Sequence, residues 1–175
     1  MCSILFSSKE IENLQFVNER IKHRGPDYTG LVKEGKYTFV HNLLSITGEF
    51  TKQPFKEDDI ICIFNGEIYN YQEFGDYKSD GECLIPLYKK YGNSFVKHLD
   101  GEFAILLVDF SKDILIASTD IFSTKPLYMA ADDKDTFGFS SYASPLQRME
   151  FQNVFKIPAN KTYVFKLSEF GLLEE

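Results

Sequence analysis

The second residue of the chain carries two groups that could act together in nucleophilic catalysis. Cys2 follows Met1 directly and precedes the apolar run 3–6, which predicts a buried first strand. Because cysteine is small, we expect an aminopeptidase to remove Met1 and leave Cys2 with a free α-amine beside its thiol. An α-amine titrates near about pH 7.7–8.0, so it can accept the thiol proton and activate the sulfur as a nucleophile. A Met-Cys start also arises by chance, so this pair alone does not assign a function.

Short segments farther along the chain combine glycine with polar or charged side chains: HRGPD at 23–27, NGEIYN at 65–70, SDGE at 79–82 and LDGEFA at 99–104. Amide hydrolysis needs donors aimed at the oxyanion that develops on the carbonyl, besides a nucleophile and a base. A turn directly after a buried strand could present such donors rigidly, and the dipeptide Asn65-Gly66 is typical of a turn. A plain hairpin turn is the alternative, although the segment that follows leads toward a helix and not toward a second strand.

The elements that must position these segments alternate at first between helix and strand. Apolar spacing predicts an amphipathic helix over 9–23, ended by the turn at Gly25-Pro26. Strands are predicted over 36–46 and over 60–64, the second stopping at Asn65-Gly66.

A second helix is predicted to begin at Ser79 or Asp80, either of which could cap it, and to close at Gly92. Pro86 fits this helix only if it lies in the first turn or at a kink. Strands dominate from there on, at 102–110, 113–118, 126–130, 135–140 and 162–167, with turns at 109–113 and 132–134.

Composition limits the function classes. With 175 residues, 43% hydrophobic and 26% charged, the chain is predicted to be a single globular domain over 1–175. Its net charge of −7 argues against nucleic-acid binding, and no apolar run is long enough to span a membrane. The three cysteines form neither a disulfide framework nor a zinc pattern. We interpret Cys62 and Cys83 as buried structural residues and expect a reducing, cytoplasmic location.

The order and spacing of the four segments, together with Cys2-Ser-Ile and the later KPLY at 125–128, resemble the glutaminase domain of glutamine-dependent asparagine synthetases. That domain belongs to the class II amidotransferases, which are N-terminal-nucleophile hydrolases, and the resemblance covers essentially the whole chain. It implies a four-layer αββα sandwich and no metal or organic cofactor.

The resemblance also implies roles for individual residues. Cys2 would attack the side-chain amide of glutamine and form a thioester. The Asn65 amide and the Gly66 backbone N–H would form the oxyanion hole.

Other positions would bind the substrate. Asp80 would accept the α-ammonium of glutamine with Glu67 nearby, although Asp80 could equally be only a helix cap. Arg24 would support the cleft or hold loop carbonyls, Asn70 would order the loop around the oxyanion hole, and Leu44 would lie at the substrate.

The departure from the family pattern that matters most is at position 43. The family motif has an arginine before Leu-Ser-Ile that clamps the glutamine carboxylate, whereas this chain has Leu43 there. Leucine offers none of the charge-assisted bonds of a guanidinium. Either Lys52 or Arg24 takes over, or the substrate is a different amide, or turnover has decayed.

The sequence therefore predicts a thiol-dependent glutaminase that releases ammonia for an acceptor, as in asparagine biosynthesis. The alternatives are an amidohydrolase of the same fold acting on another amide and a non-catalytic regulatory or binding module. No Ser-Gly-Gly-type ATP-binding segment occurs, so the chain is expected to be either an isolated amidotransferase domain or a free-standing subunit that delivers ammonia to a separate ATP-dependent synthetase.

Overall fold

The computed structural model describes residues 1–46, 48–133 and 135–175. Within these residues the chain forms twelve β-strands and three α-helices, joined by short 3-10 segments. The strands are β1 (Ser3–Ser7), β2 (Tyr28–Glu34), β3 (Tyr37–Leu43), β4 (Phe55–Glu57), β5 (Ile60–Ile68), β6 (Gly101–Asp109), β7 (Ile114–Thr119), β8 (Tyr128–Ala131), β9 (Phe137–Ser140), β10 (Val154–Lys156), β11 (Thr162–Lys166) and β12 (Gly171–Glu174). The helices are α1 (Leu14–Lys22), α2 (Leu84–Tyr91) and α3 (Ala143–Arg148).

The strands form two six-stranded sheets, in the orders β10-β8-β9-β1-β3-β2 and β12-β11-β7-β6-β5-β4. Neighbouring strands pair in antiparallel fashion. The first sheet places β1 between β3 and β9, so the residue before β1 is carried into the middle of the fold. The apolar run predicted as a buried strand is therefore confirmed, and every residue of β1 is buried.

Alternating side chains of the central strands separate the core into layers. Ile61 and Ile63 of β5 pack between the two sheets, whereas Cys62 and Phe64 pack on the opposite face beneath α2. Both faces of β5 are thus covered, which explains its continuous apolar sequence. Helices α1 and α3 cover the outer face of the other sheet. The predicted αββα sandwich is confirmed.

Strand β5 is longer than the sequence indicates. The prediction that it stops at a turn formed by Asn65-Gly66 is wrong, because the strand continues to Ile68. Asn65 pairs with Ala104 and Gly66 with Phe103 of β6. This long-range ladder overrides the local turn preference of the dipeptide.

The second helix is preceded directly by a 3-10 turn. Residues Asp80–Cys83 form a 3-10 turn and α2 begins at Leu84, so Pro86 lies in the first turn of the α-helix, where proline is tolerated. The helix ends at Gly92, whose φ of 62° suits glycine. Cys83 and Cys62 are fully buried, as expected.

Several other boundaries shift. Helix α1 begins only at Leu14, because the Asn13 side chain caps it by accepting the Phe16 N–H. The turn predicted at 132–134 includes Lys134, which lies outside the described residues. No helix in the described part of the chain is long and apolar enough to cross a membrane.

Candidate active site

A cavity of about 260 Å³ opens where the start of β1, the end of β3 and the second half of β5 meet. This volume is below the roughly 300–1,000 Å³ of pockets for drug-sized ligands, so it suits a ligand of amino-acid size. Predicted site residues that line it are Cys2, Leu44, Asn65, Gly66, Glu67 and Asp80. The fold thus brings together six positions that are scattered over the first 80 residues of the sequence.

The Cys2 thiol is held against the loop after β3. Its Sγ accepts the Leu44 N–H at 3.4 Å and lies 3.7 Å from the Leu44 carbonyl oxygen. Burial raises the pKa of this thiol, and the Leu44 backbone bond opposes that shift only in part. With Met1 in place the sulfur is therefore predominantly protonated at neutral pH. Leu44 contributes to the site through its backbone.

Met1 is present in the structure, so the Cys2 nitrogen is part of a peptide bond. The Met1 Sδ lies 3.0 Å from Arg24 Nη2 and 3.3 Å from Lys125 Nζ. Burial is the largest of the causes that lower the pKa of the Met1 α-amine. Arg24 also donates a hydrogen bond to the Tyr142 hydroxyl. Arg24 is therefore a neighbour of the N-terminus and does not line the cavity.

The Asn65 side chain combines burial with unused hydrogen-bonding capacity. It is 1% exposed, and neither its amide nitrogen nor its oxygen has a hydrogen-bond partner among the described residues. Buried polar atoms without partners are rare and call for an explanation. Asn65 lines the cavity, so this unused hydrogen-bonding capacity lies at the cavity wall.

Gly66 cannot be replaced without moving backbone. A Cβ at this position would lie 2.2 Å from the Glu102 carbonyl oxygen. Glycine is thus required by the close approach of β6, at the point where β5 borders the cavity.

Asp80 is held at the site by the strand that carries Gly66. Its Oδ2 accepts the Ile68 N–H at 2.8 Å, and burial is the largest cause of its raised pKa, against backbone hydrogen bonds that lower it. Ser79, at the start of the 3-10 turn, makes no side-chain cap bond. Asp80 and Glu67 both line the cavity, so two carboxylates face one region of it.

Asn70 lies outside the cavity lining. Its Nδ2 donates to the His98 carbonyl at 3.0 Å, and its Oδ1 accepts the Asp100 N–H at 2.9 Å. It therefore ties the end of β5 to the loop before β6 and has no direct contact with the cavity.

The position expected to bind the substrate carboxylate holds an uncharged residue, unlike the arginine of the family motif. Leu43 lines the cavity and is 7% exposed. Lys52, one cation considered from the sequence, lies 4.8 Å over the Tyr28 ring and outside the lining. The cationic side chain among the described lining residues is Lys125, whose Nζ is 2.5 Å from Glu102 Oε1.

Sequence reasoning missed Lys125 and Glu102 as site residues. Both lie in segments that the sequence singles out, 125–128 and 99–104, so the motifs themselves were the available signal. Across residues 1–46, 48–133 and 135–175, no group of three or more histidine, cysteine, aspartate or glutamate side chains is placed to hold a metal ion.

Comparison with known proteins places this geometry in a family. A model of the glutamine amidotransferase domain matches residues 1–169. The asparagine synthetase (glutamine-hydrolyzing) of Asparagus officinalis is 35% identical over 139 residues, covering 73% of this chain and 23% of that protein. An amidase of Penicillium rubens is 36% identical over 131 residues, covering 67% of this chain and 20% of that protein. The chain thus spans about a quarter or less of the length of these curated relatives.

A solved structure supports the fold. The glutamine phosphoribosylpyrophosphate amidotransferase from B. subtilis superposes with a TM-score of 0.78 at 16% identity, covering 98% of this chain and 49% of that one. At this identity the likeness concerns the fold, which is the two-sheet sandwich described above. The chain belongs to the class II glutamine amidotransferase domains, in the group found in asparagine synthetases.

Proposed function

We propose that the chain is a thiol-dependent glutaminase that hydrolyses the side-chain amide of glutamine to glutamate and ammonia. The observation that carries this proposal is the cavity that is lined by both Cys2 and Asn65, whose buried amide has no hydrogen-bond partner in the described part of the chain. Family membership supports the same chemistry, because the relatives named above include a glutamine-hydrolysing enzyme.

The mechanism begins with removal of Met1. The α-amine of Cys2 then takes the thiol proton, and the thiolate attacks the amide carbon. The Asn65 amide and the Gly66 N–H stabilise the resulting oxyanion. The protonated amine returns its proton to the leaving nitrogen, ammonia departs, and a thioester remains on Cys2. Water attacks the thioester through a second oxyanion and releases glutamate.

The acidic side of the cavity binds the substrate amine in this proposal. Asp80 and Glu67 face the cavity and would accept the α-ammonium group of glutamine. Lys125 would receive the α-carboxylate, since it is the cationic side chain in the described lining and Leu43 offers no charge. Binding of the carboxylate would then compete with the bond from Lys125 to Glu102.

A second candidate is an amidase for substrates with a free α-amine and a masked α-carboxyl group. The cavity lining favours it, because the described lining holds four carboxylate side chains, Glu49, Glu67, Asp80 and Glu102, and one lysine, Lys125. One relative is named an amidase, which also supports this alternative.

The proposal also covers the unit that uses the released ammonia. Because the relatives are much longer than the matched segment, we propose that an ATP-dependent synthetase unit uses the ammonia released here.

The decisive experiment measures glutamate release from glutamine by purified protein shown by mass to lack Met1. Cys2→Ala is the control. Release that requires Cys2 supports the glutaminase. Absence of Cys2-dependent release at high glutamine concentrations contradicts it for this chain.

The same protein is then assayed with glutamine whose α-carboxyl is amidated. Faster hydrolysis of the amidated compound would favour the second candidate. Lys125→Met separates the two further, because it should raise KM for glutamine and leave KM for the amidated compound unchanged. A protein that hydrolyses neither compound would favour a non-catalytic module.

A further inference from the structure

A buried histidine connects the two sheets next to the cavity. His41 lies on β3 and is fully buried, yet its Nε2 is 3.1 Å from the Phe64 carbonyl oxygen on β5. Its Nδ1 has no hydrogen-bond partner within the described part of the chain. A polar side chain in this position needs a reason, because an apolar residue would fill the space without an unpaired nitrogen.

The bond fixes the protonation state of the ring. A carbonyl oxygen only accepts, so Nε2 carries the proton and donates it. Burial lowers the pKa of His41 to about 3, against the smaller opposing effect of this bond. His41 is therefore a neutral donor throughout the physiological pH range.

The bonded carbonyl lies on a stretch of β5 that has lost its neighbouring strand. β4 pairs with β5 only from Ile60 to Cys62. Beyond that point the Phe64 N–H is bound by the Gln53 side chain at 2.9 Å, and the Phe64 carbonyl is bound by His41. Farther along, the Ile68 N–H is bound by Asp80.

Gly66 lies between these two anchored residues. Alternation along a strand directs the N–H groups of residues 64, 66 and 68 to the same edge. The Gly66 N–H therefore faces the edge where β4 has ended, at the cavity that Gly66 lines. The peptide that His41 holds joins Phe64 to Asn65, so it also sets the direction of the Asn65 side chain.

We propose that His41 is a positioning residue, which fixes the Phe64–Asn65 peptide and thereby aims the Asn65 amide and the Gly66 N–H at the oxyanion. The inference rests on the proposed function for its kinetic consequence. Donors act on an oxyanion only when they are held within about 0.5 Å of the productive geometry. A misplacement of about 1 Å can cost about 10² in rate.

The test compares two variants in which His41 is replaced by an amide side chain, a longer one and a shorter one. His41→Gln places an amide N–H near the original Nε2 position, whereas the shorter His41→Asn cannot reach the Phe64 carbonyl. We expect kcat for glutamine to fall about 10²-fold in His41→Asn, with KM little changed, and His41→Gln to restore most of the rate. Equal kcat in the wild type and both variants would overturn the proposal.

Alkylation of Cys2 by iodoacetamide separates positioning from general damage. This substitution at carbon forms no oxyanion, so its rate should be the same in His41→Asn and in the wild type. An alkylation rate that falls together with kcat would show that the whole site has been disturbed and would overturn the positioning role.

NMR tests the structural basis even if no glutaminase activity is found. In protein with 15N-labelled histidine, the His41 ring should show the Nε2–H tautomer and no titration between about pH 5 and 8. The Gly66 amide resonance should shift in His41→Asn and return toward the wild-type position in His41→Gln. An Nδ1–H tautomer, or an unmoved Gly66 resonance in His41→Asn, would refute the inference independently of the proposed function.

Discussion

Replacing Asn65 by alanine should separate activity from stability, and Asn42 provides a matched control. Both asparagines are buried, at 1% and 0% exposure. The Asn65 amide has no partner among the described residues. The Asn42 amide exchanges two hydrogen bonds with Asn18, donates to Ser3 Oγ and accepts from Thr29 Oγ1, at distances between 2.8 and 3.0 Å.

The magnitudes follow from these contacts. Leaving a polar group buried and unpaired costs about 1–3 kcal/mol, so Asn65→Ala removes an unfavourable contribution and loses little packing at the cavity wall. We expect the free energy of unfolding to stay constant or to rise by up to about 2 kcal/mol. Asn42→Ala loses hydrogen bonds worth about 1 kcal/mol each and leaves their partners unpaired, so we expect a loss of about 2–4 kcal/mol.

Asn65→Ala should preserve stability and lower activity. Removing one oxyanion donor costs about 10²–10³ in kcat, or about 2.7–4 kcal/mol, and we expect this loss for Asn65→Ala. Urea unfolding followed by circular dichroism gives the stabilities, and glutamate release gives kcat. A melting temperature moves by about 2–4 °C per kcal/mol for a protein of this size, which thermal scans resolve. Strong destabilisation by Asn65→Ala with unchanged kcat would refute the assignment of Asn65 as a donor.

Three further predictions concern neighbouring groups. Gly66→Ala places a Cβ 2.2 Å from a carbonyl oxygen of β6, so it should lower kcat in the glutamate assay by about 10²-fold or more. The control is Gly171→Ala, whose Cβ has its nearest contact at 3.5 Å. This control should leave kcat unchanged. The pKa of His41 is about 3 in the folded chain and about 6.5 in the unfolded chain. The free energy of unfolding should therefore decrease as the pH drops from about 6.5 toward 3. At pH 5 the decrease should be about 2 kcal/mol. Urea unfolding at pH 7 and pH 5 should show a smaller pH dependence in His41→Gln, and an equal dependence in both proteins would contradict the buried neutral state. With Met1 retained, the raised pKa of Cys2 predicts that iodoacetamide alkylates the thiol slowly at neutral pH. The alkylation rate should rise only at pH values above the ordinary pKa of a cysteine thiol. Protein without Met1 should react at lower pH, and identical pH profiles would argue against the amine as base.

Most strong elements could be predicted from local pattern because their burial is uniform. The run at β1 and the continuous buried runs of β6 and β7 have sequences that suit a strand covered on both faces. The four edge strands β2, β4, β10 and β12 were missed. β4 and β10 have only three residues, and most residues of all four strands are half-exposed or exposed. Their pairing depends on a neighbouring strand and not on their own composition.

The segment that contains Asn65 and Gly66 shows where local reasoning fails. Asn65-Gly66 has the composition of a turn, but β6 supplies a pairing partner that keeps the chain extended. What exposes this part of β5 is the end of β4, because an edge without a strand leaves its N–H groups for side chains and ligands.

The sequence by itself determined the motif positions and the family and made Cys2 the candidate nucleophile, because those depend on residue types at fixed spacing. The tertiary structure decided which side chains meet. It placed Lys125 in the cavity and Lys52 outside it, made His41 a neutral link between the sheets, and left the Asn65 amide without a partner among the residues that the structure describes. These outcomes depend on contacts between segments that are far apart in sequence, such as His41 of β3 with Phe64 of β5 and Lys125 with Glu102 of β6. The hydrogen bonds and the burial of these side chains are set only in the folded chain.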